Sequence, residues 1–130
     1  MKFSSIYRAA LHLISDRSGS CSEADYAERA PFIASAIVSE AAAVDREYRA
    51  AFSLPEGHYP SGTEIPMSAS FPLSDRFATA ASYFMAAMLV LDEDEERYET
   101  LYDLWTDALA TIASEIPGVS GRTKDRYPTA

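Results

Sequence analysis

LSDRFATAASYFMAAMLVL, residues Leu73 to Leu91, is the stretch whose reading decides the fold. From Phe77 onward nearly every residue is apolar or small, on every side of a helical wheel. A helix with no polar face must be enclosed, either by protein or by lipid. A membrane span needs about 20 consecutive apolar residues. This run is shorter, is diluted by Thr79 and Ser82, and ends in Asp92-Glu93-Asp94-Glu95-Glu96. The stretch therefore predicts a central core helix. Pro72 precedes it, Ser74 is a suitable N-cap, and Asp75 places negative charge in the positive first turn.

Downstream, the acidic turn leads into a fourth helix from about Asp94 to Glu115. Tyr98, Leu101, Tyr102, Trp105, Ala108, Leu109 and Ile112 recur along it at helical spacing. So short a connection forces the third and fourth helices into an antiparallel hairpin. Pro117-Gly118 stops the fourth helix. Residues 117–130 then form an extended tail in which Arg122, Lys124 and Arg126 stand against one acid, Asp125. A frayed terminus is the bland reading of such a tail, and a docking segment the sharper one.

Upstream lies Ser53 to Pro72, with Pro55, Pro60, Pro66 and Pro72 and with Gly57 and Gly62 between them. That density forbids regular helix and predicts an irregular arm between helices two and three. Tyr59, Ile65, Met67 and Phe71 give the arm apolar contacts, on its own core or on a neighbouring subunit; the sequence leaves both open. A short strand pair around Thr63, Ile65 and Met67 is also compatible with it. Before the arm, Ile6, Tyr7, Ala10, Leu11 and Ile14 mark a first helix from Phe3 to about Ile14, ended by Ser18-Gly19-Ser20. A second helical region opens at Ser22, with Asp25 in capping-box position, and runs to about Phe52. Pro31 predicts a kink or two abutting helices. Ile33, Ile37, Ala41, Val44, Tyr48 and Ala51 mark one face, leaving Asp45, Arg46, Glu47 and Arg49 mostly toward water. The expected fold is all-α: a four-helix bundle-like single domain over residues 1–116, carrying the 53–72 arm and the basic 117–130 tail.

Composition narrows the function classes. The 130 residues are 48% hydrophobic and 24% charged, as in a globular domain, with a net charge of −9. That balance opposes specific nucleic-acid binding, which needs clustered Lys and Arg. Lone Cys21 rules out an intrachain disulfide and suits a reducing compartment. Arg8 and His12 interrupt any apolar signal region after Lys2, so a soluble, cytosolic-type product is expected.

No catalytic or metal signature emerges. An EF-hand loop begun at Asp92 would need Gly at its sixth place and Glu at its twelfth, where Arg97 and Asp103 stand. His12 reads as a packed or boundary residue, and His58 sits in the arm without a ligand at suitable spacing. Glu40 reads as a partly buried carboxylate with no partner, a poor catalytic candidate. HExxH, CxxC, GxSxG, P-loop and Rossmann fingerprints are lacking, so neither an enzyme nor a cofactor is expected. Between Asp92 and Asp107 eight acids face one base, Arg97. Glu96, Glu99, Asp103 and Asp107 share one helix face, which reads as a solvated surface or as a docking or DNA-repelling one.

DYAERAP (Asp25 to Pro31) and FPLSDRFATAASYFMAAMLVLDEDEERYETLYDLWTDALATI (Phe71 to Ile112) resemble small helical proteins of tailed-phage and prophage structural operons, in particular head–tail connector or neck adaptor proteins. The resemblance implies a virion protein made and assembled in the bacterial cytoplasm. It implies a dodecameric ring beneath the portal protein, bridging to a tail or stopper protein without catalysis. Interfaces in such a ring would fall on Tyr59, Ile65, Met67, Phe71, Arg122, Lys124 and Arg126. Glu96, Glu99, Asp103 and Asp107 would form an acidic lumen or docking face. The competing expectation is a small helical regulatory module, of host or prophage, that binds another protein through the acidic helix.

Overall fold

The computed structural model describes residues 1–14 and 23–117. The expected Ser18-Gly19-Ser20 break, the Ser22 cap and the tail bases Arg122, Lys124 and Arg126 lie outside them. The architecture is all-α, in the order α1 (Phe3–Leu13), α2 (Glu23–Ala51), α3 (Ala78–Val90) and α4 (Glu95–Ser114), with a 3-10 turn, Asp75–Phe77, leading into α3. No helix among the described residues is long and apolar enough to cross a membrane.

α3 is the helix the others surround. It packs on α1, α2 and α4, and Ala80, Ala81, Phe84, Met85, Ala86, Ala87, Leu89 and Val90 are all buried. Five alanines in thirteen residues keep its surface low, so three helices can approach one axis. The α3–α4 connection is short, and its geometry is antiparallel: Phe84 stacks edge-on to Trp105 at 5.0 Å, while Arg76 before α3 meets Glu115 after α4 at 2.7 Å. Asp94 caps α4 by accepting from the Arg97 N–H at 3.0 Å, and Leu101, Trp105 and Ile112 are its buried stripe.

α2 is one continuous helix through Pro31, so of the two arrangements expected there the division into abutting helices does not hold. Its inward line is Tyr26, Ala30, Ala34, Ile37, Val38 and Ala41, a slightly rotated version of the expected face. Glu40 and His12, expected to be partly covered, are exposed. α2 ends in a Schellman turn. The Leu54 N–H reaches the Arg49 carbonyl at 2.8 Å and the Ser53 N–H reaches Ala50 at 3.5 Å, with Ser53 in the left-handed region at φ 56°.

The arm contains no strand pair. An isolated antiparallel bridge joins Lys2 to Ser70 instead. Lys2 gives α1 no side-chain cap; its first amides are satisfied by the arm, Phe3 N–H donating to the Ala69 carbonyl at 3.0 Å and Ser4 N–H to Met67 at 2.9 Å. In return the Phe71 N–H donates to the Met1 carbonyl at 2.8 Å. Further along, the Ile65 N–H donates to Pro31 at 3.0 Å and the Ser35 hydroxyl to Gly62 at 2.7 Å. The apolar contacts follow: Ile65 and Phe71 are buried, Phe71 edge-on to Phe3 at 5.2 Å. Tyr59 and Met67 are half-buried against the same core.

Close approach around α3 can be checked by adding volume. Ala87→Leu is expected to cost about 1–3 kcal/mol, read as a lower urea midpoint at an unchanged slope. A midpoint equal to that of the unsubstituted protein would mean that this side of α3 is not closely packed.

Candidate functional site

One ionisable side chain among the described residues is fully buried: Asp45, on the inward line of α2 one turn after Ala41. It was expected to face water. It is buried because four donors converge on it, two per oxygen. Oδ1 accepts from the Ser74 N–H at 2.8 Å and the Ser74 hydroxyl at 2.5 Å. Oδ2 accepts from Arg49 Nε at 2.8 Å and the Tyr59 hydroxyl at 2.5 Å. The Ser74 hydroxyl is thereby occupied, and makes no cap to the turn that follows it. Arg49 extends the network, donating to the Pro55 carbonyl at 2.9 Å and the Pro72 carbonyl at 3.1 Å. Both ends of the arm and the entry to α3 are thus fastened to one carboxylate.

Burial would push the Asp45 carboxyl up, but the bonds from Ser74, Tyr59 and Arg49 outweigh it and hold the group below its ordinary 3.8. Burial and the adjoining carboxylate push the Tyr59 hydroxyl up to about 12. The hydrogen bond to Asp45 raises Arg49 further. A saturated, acidified carboxylate and a phenol that stays protonated are poorly matched to proton transfer near neutrality. The chemistry of this cluster is that of a fastening.

Outside it lies an open groove of about 540 Å³, lined by Arg46, Arg49, Ala50, Leu54, Glu56, Gly57 and Tyr59. The Arg46 guanidinium sits over the Tyr59 ring at 4.9 Å. Gly57 is required by close approach: a Cβ there would stand 2.7 Å from the Tyr59 hydroxyl oxygen, which Asp45 holds in place.

The second candidate surface is the acidic one. Glu96, Glu99, Asp103 and Asp107 are all exposed, on one face of α4, and none of their carboxylates forms an ion pair among the described residues. The turn that starts this face is held on two sides. The Tyr26 hydroxyl donates to Glu93 at 2.5 Å, and Arg97 donates to the Ile14 carbonyl at 3.4 Å, at the end of α1. Arg29 caps the end of α3 through the Met88 and Leu89 carbonyls, at 3.5 and 2.7 Å. No group of three His, Cys, Asp or Glu among the described residues is placed to hold a metal ion.

The residues singled out from sequence therefore separate. Ile65 and Phe71 are enclosed by this chain's own core, Tyr59 belongs to the Asp45 cluster, Met67 is half-covered, and the four acids lie together on α4. Sequence reasoning missed Asp45, and gave Ser74 a capping role in place of its two bonds to that carboxylate. The signal was present in the four-residue step from Ala41 to Asp45 and again to Arg49, along a line that is otherwise apolar. The chain matches no family model, no curated protein and no solved structure.

Because the folded Asp45 carboxyl titrates below its unfolded counterpart, its contribution is fully present above about pH 4 and is lost as pH falls through the folded value. Asp45→Asn, which leaves donors facing an amide, is expected to cost about 3–5 kcal/mol at pH 7. Urea midpoints at pH 7 and pH 3 check it: the gap between the two proteins narrows in acid. An equal gap at both would refute the ionic reading. Tyr59→Phe, removing one of four donors, is expected to cost about 1.5–3 kcal/mol at pH 7.

Proposed function

We propose that this chain is a structural subunit of a tailed-phage neck, a head–tail connector that forms a ring beneath the portal protein and bridges to a tail or stopper protein, without catalysis. The observation that carries the reading is how the two resembling segments meet. Asp25 to Pro31 and Phe71 to Ile112 are distant in sequence, yet Tyr26 bonds Glu93 and Arg29 bonds the Met88 and Leu89 carbonyls. Both segments thus belong to one packing unit of α2, α3 and α4.

A ring subunit needs two different patches that meet on successive copies. Exposed Phe52 and Leu54 at the end of α2, and Leu91 and Leu104 on the hairpin, offer apolar area at separate places on the surface. The tail with Arg122, Lys124 and Arg126 supplies a segment that can reach a neighbour or the portal. The acidic α4 face suits a channel through which DNA passes without adhering, because like charge repels phosphate.

Mass spectrometry of purified phage particles from the source strain tests the reading, with the chain quantified against portal protein. Near-equal abundance is expected. Absence from particles would remove the connector and turn the acidic helix into bait for a basic regulatory partner. Within assembled particles, Glu96, Glu99, Asp103 or Asp107 is expected at the lumen; all four on the outer rim would overturn the DNA-repelling role.

A further inference from the structure

The end of α2 carries a cation without an anion. Arg46 is exposed and its guanidinium lies over the Tyr59 ring, yet it forms no ion pair among the described residues. Arg49, which lines the same groove, is already committed to Asp45 and to the Pro55 and Pro72 carbonyls. A guanidinium can stack on a ring and still take a carboxylate through its N–H edge. Leu54 gives the groove an exposed apolar side chain. Glu56, the groove's own acid, opposes a bare anion, so charge alone does not fill this place. It fits a carboxylate carried beside an apolar side chain.

That combination stands at the other end of the same chain. Exposed Leu91 closes α3, and the turn after it carries Asp92 and leads to Glu95, both exposed. Two acids of the turn are taken, Glu93 by the Tyr26 hydroxyl and Asp94 by the Arg97 N–H. Asp92 and Glu95 form no ion pair among the described residues. The turn lies beside Tyr26, at the start of α2, and the groove beside Arg46, at its end. Twenty residues of one helix put about 30 Å between them, so they cannot meet within one molecule. A projecting hairpin tip and a receiving groove at opposite ends fit two copies in line.

We propose that the α3–α4 tip of one copy seats in the groove at the end of α2 of the next, Leu91 against Leu54 and the Asp92 and Glu95 carboxylates on the Arg46 guanidinium. This contact names the two unlike patches that a ring requires, and rests on the ring reading for the expectation that copies meet through them. A net charge of −9 repels copies at a distance, but at 0.15 M salt that repulsion is screened beyond about 8 Å, and the groups in contact decide.

Reversing each side separately tests it. Sedimentation of the full-length protein over a concentration series is expected to show mass growing beyond the dimer, since every added copy brings a free tip and a free groove. R46E alone and D92R/E95R alone are each expected to dissociate roughly ten-fold more readily, because like charges then face one another. Mixed in equal amounts, the two variants are expected to regain the association, each groove again meeting a tip of opposite charge. A monomer at every concentration would overturn the proposal, as would growth that stops at a dimer. Variants that associate unchanged, or a mixture that regains nothing, would overturn it too. Should a variant lose its helical signal, disulfide formation between L54C in one copy and L91C in another, both with Cys21→Ser, decides instead. The mixed pair is expected to form several-fold faster than either like pair, and equal rates would refute the contact. Abundance in phage particles is read separately, so loss of the neck reading and loss of this contact are told apart.

Discussion

α3 has no side that can be left in water, and the rest of the chain is arranged around that fact. An amphipathic helix needs one partner; a helix apolar all round needs a full enclosure. Here α1, α2 and α4 supply it, and the small residues of α3 let them come near enough to exclude water from it. The arm closes the entrance, with Ile65, Phe71 and Leu73 buried where the chain approaches the helix. A proline-rich loop of this length would otherwise be costly in a compact structure. It is tolerated because its carbonyls and amides are assigned partners on α1 and α2.

Enclosure creates a second demand. Covered helix ends bring unpaired carbonyls and amides with them, which must bond something other than water. The chain meets this with side chains and backbone from distant segments. Arg29 of α2 serves the end of α3, Arg97 of α4 serves the end of α1, and arm carbonyls serve the start of α1. Asp45 does the same for the entry to α3, taking the Ser74 amide that a local cap would otherwise leave open. These long-range polar contacts stand beside two local ends, the Schellman turn of α2 and the Asp94 cap of α4.

The sequence made the enclosed helix, the acidic turn and the stripe of α4 legible, because each is a pattern of periodicity carried by many residues. The start of α4 was legible within a residue. Asp45 was not, since the rule that charged residues face water is broken only where donors converge from elsewhere, here from residues 14 and 29 positions away. Ser74 has the chemistry of a cap, while its partner lies 29 residues away and out of view of any local pattern. At Pro31 one missing hydrogen bond does not divide a helix held along its length by tertiary contacts. The arm's apolar residues were visible, but which surface they would cover depended on a bridge between Lys2 and Ser70 that no local pattern announces. The acidic face was legible as a face, and its role is not written in charge alone.

The borrowed cap on α1 has a consequence for spectroscopy. Amides in the first turn of a helix ordinarily exchange with solvent freely, because nothing within the helix accepts from them. The Phe3 and Ser4 protons are instead committed to Ala69 and Met67, so their exchange reports the separation of the start of α1 from residues 67–71. Two resonances at the start of the chain thereby serve as a clock for an arm more than sixty residues away.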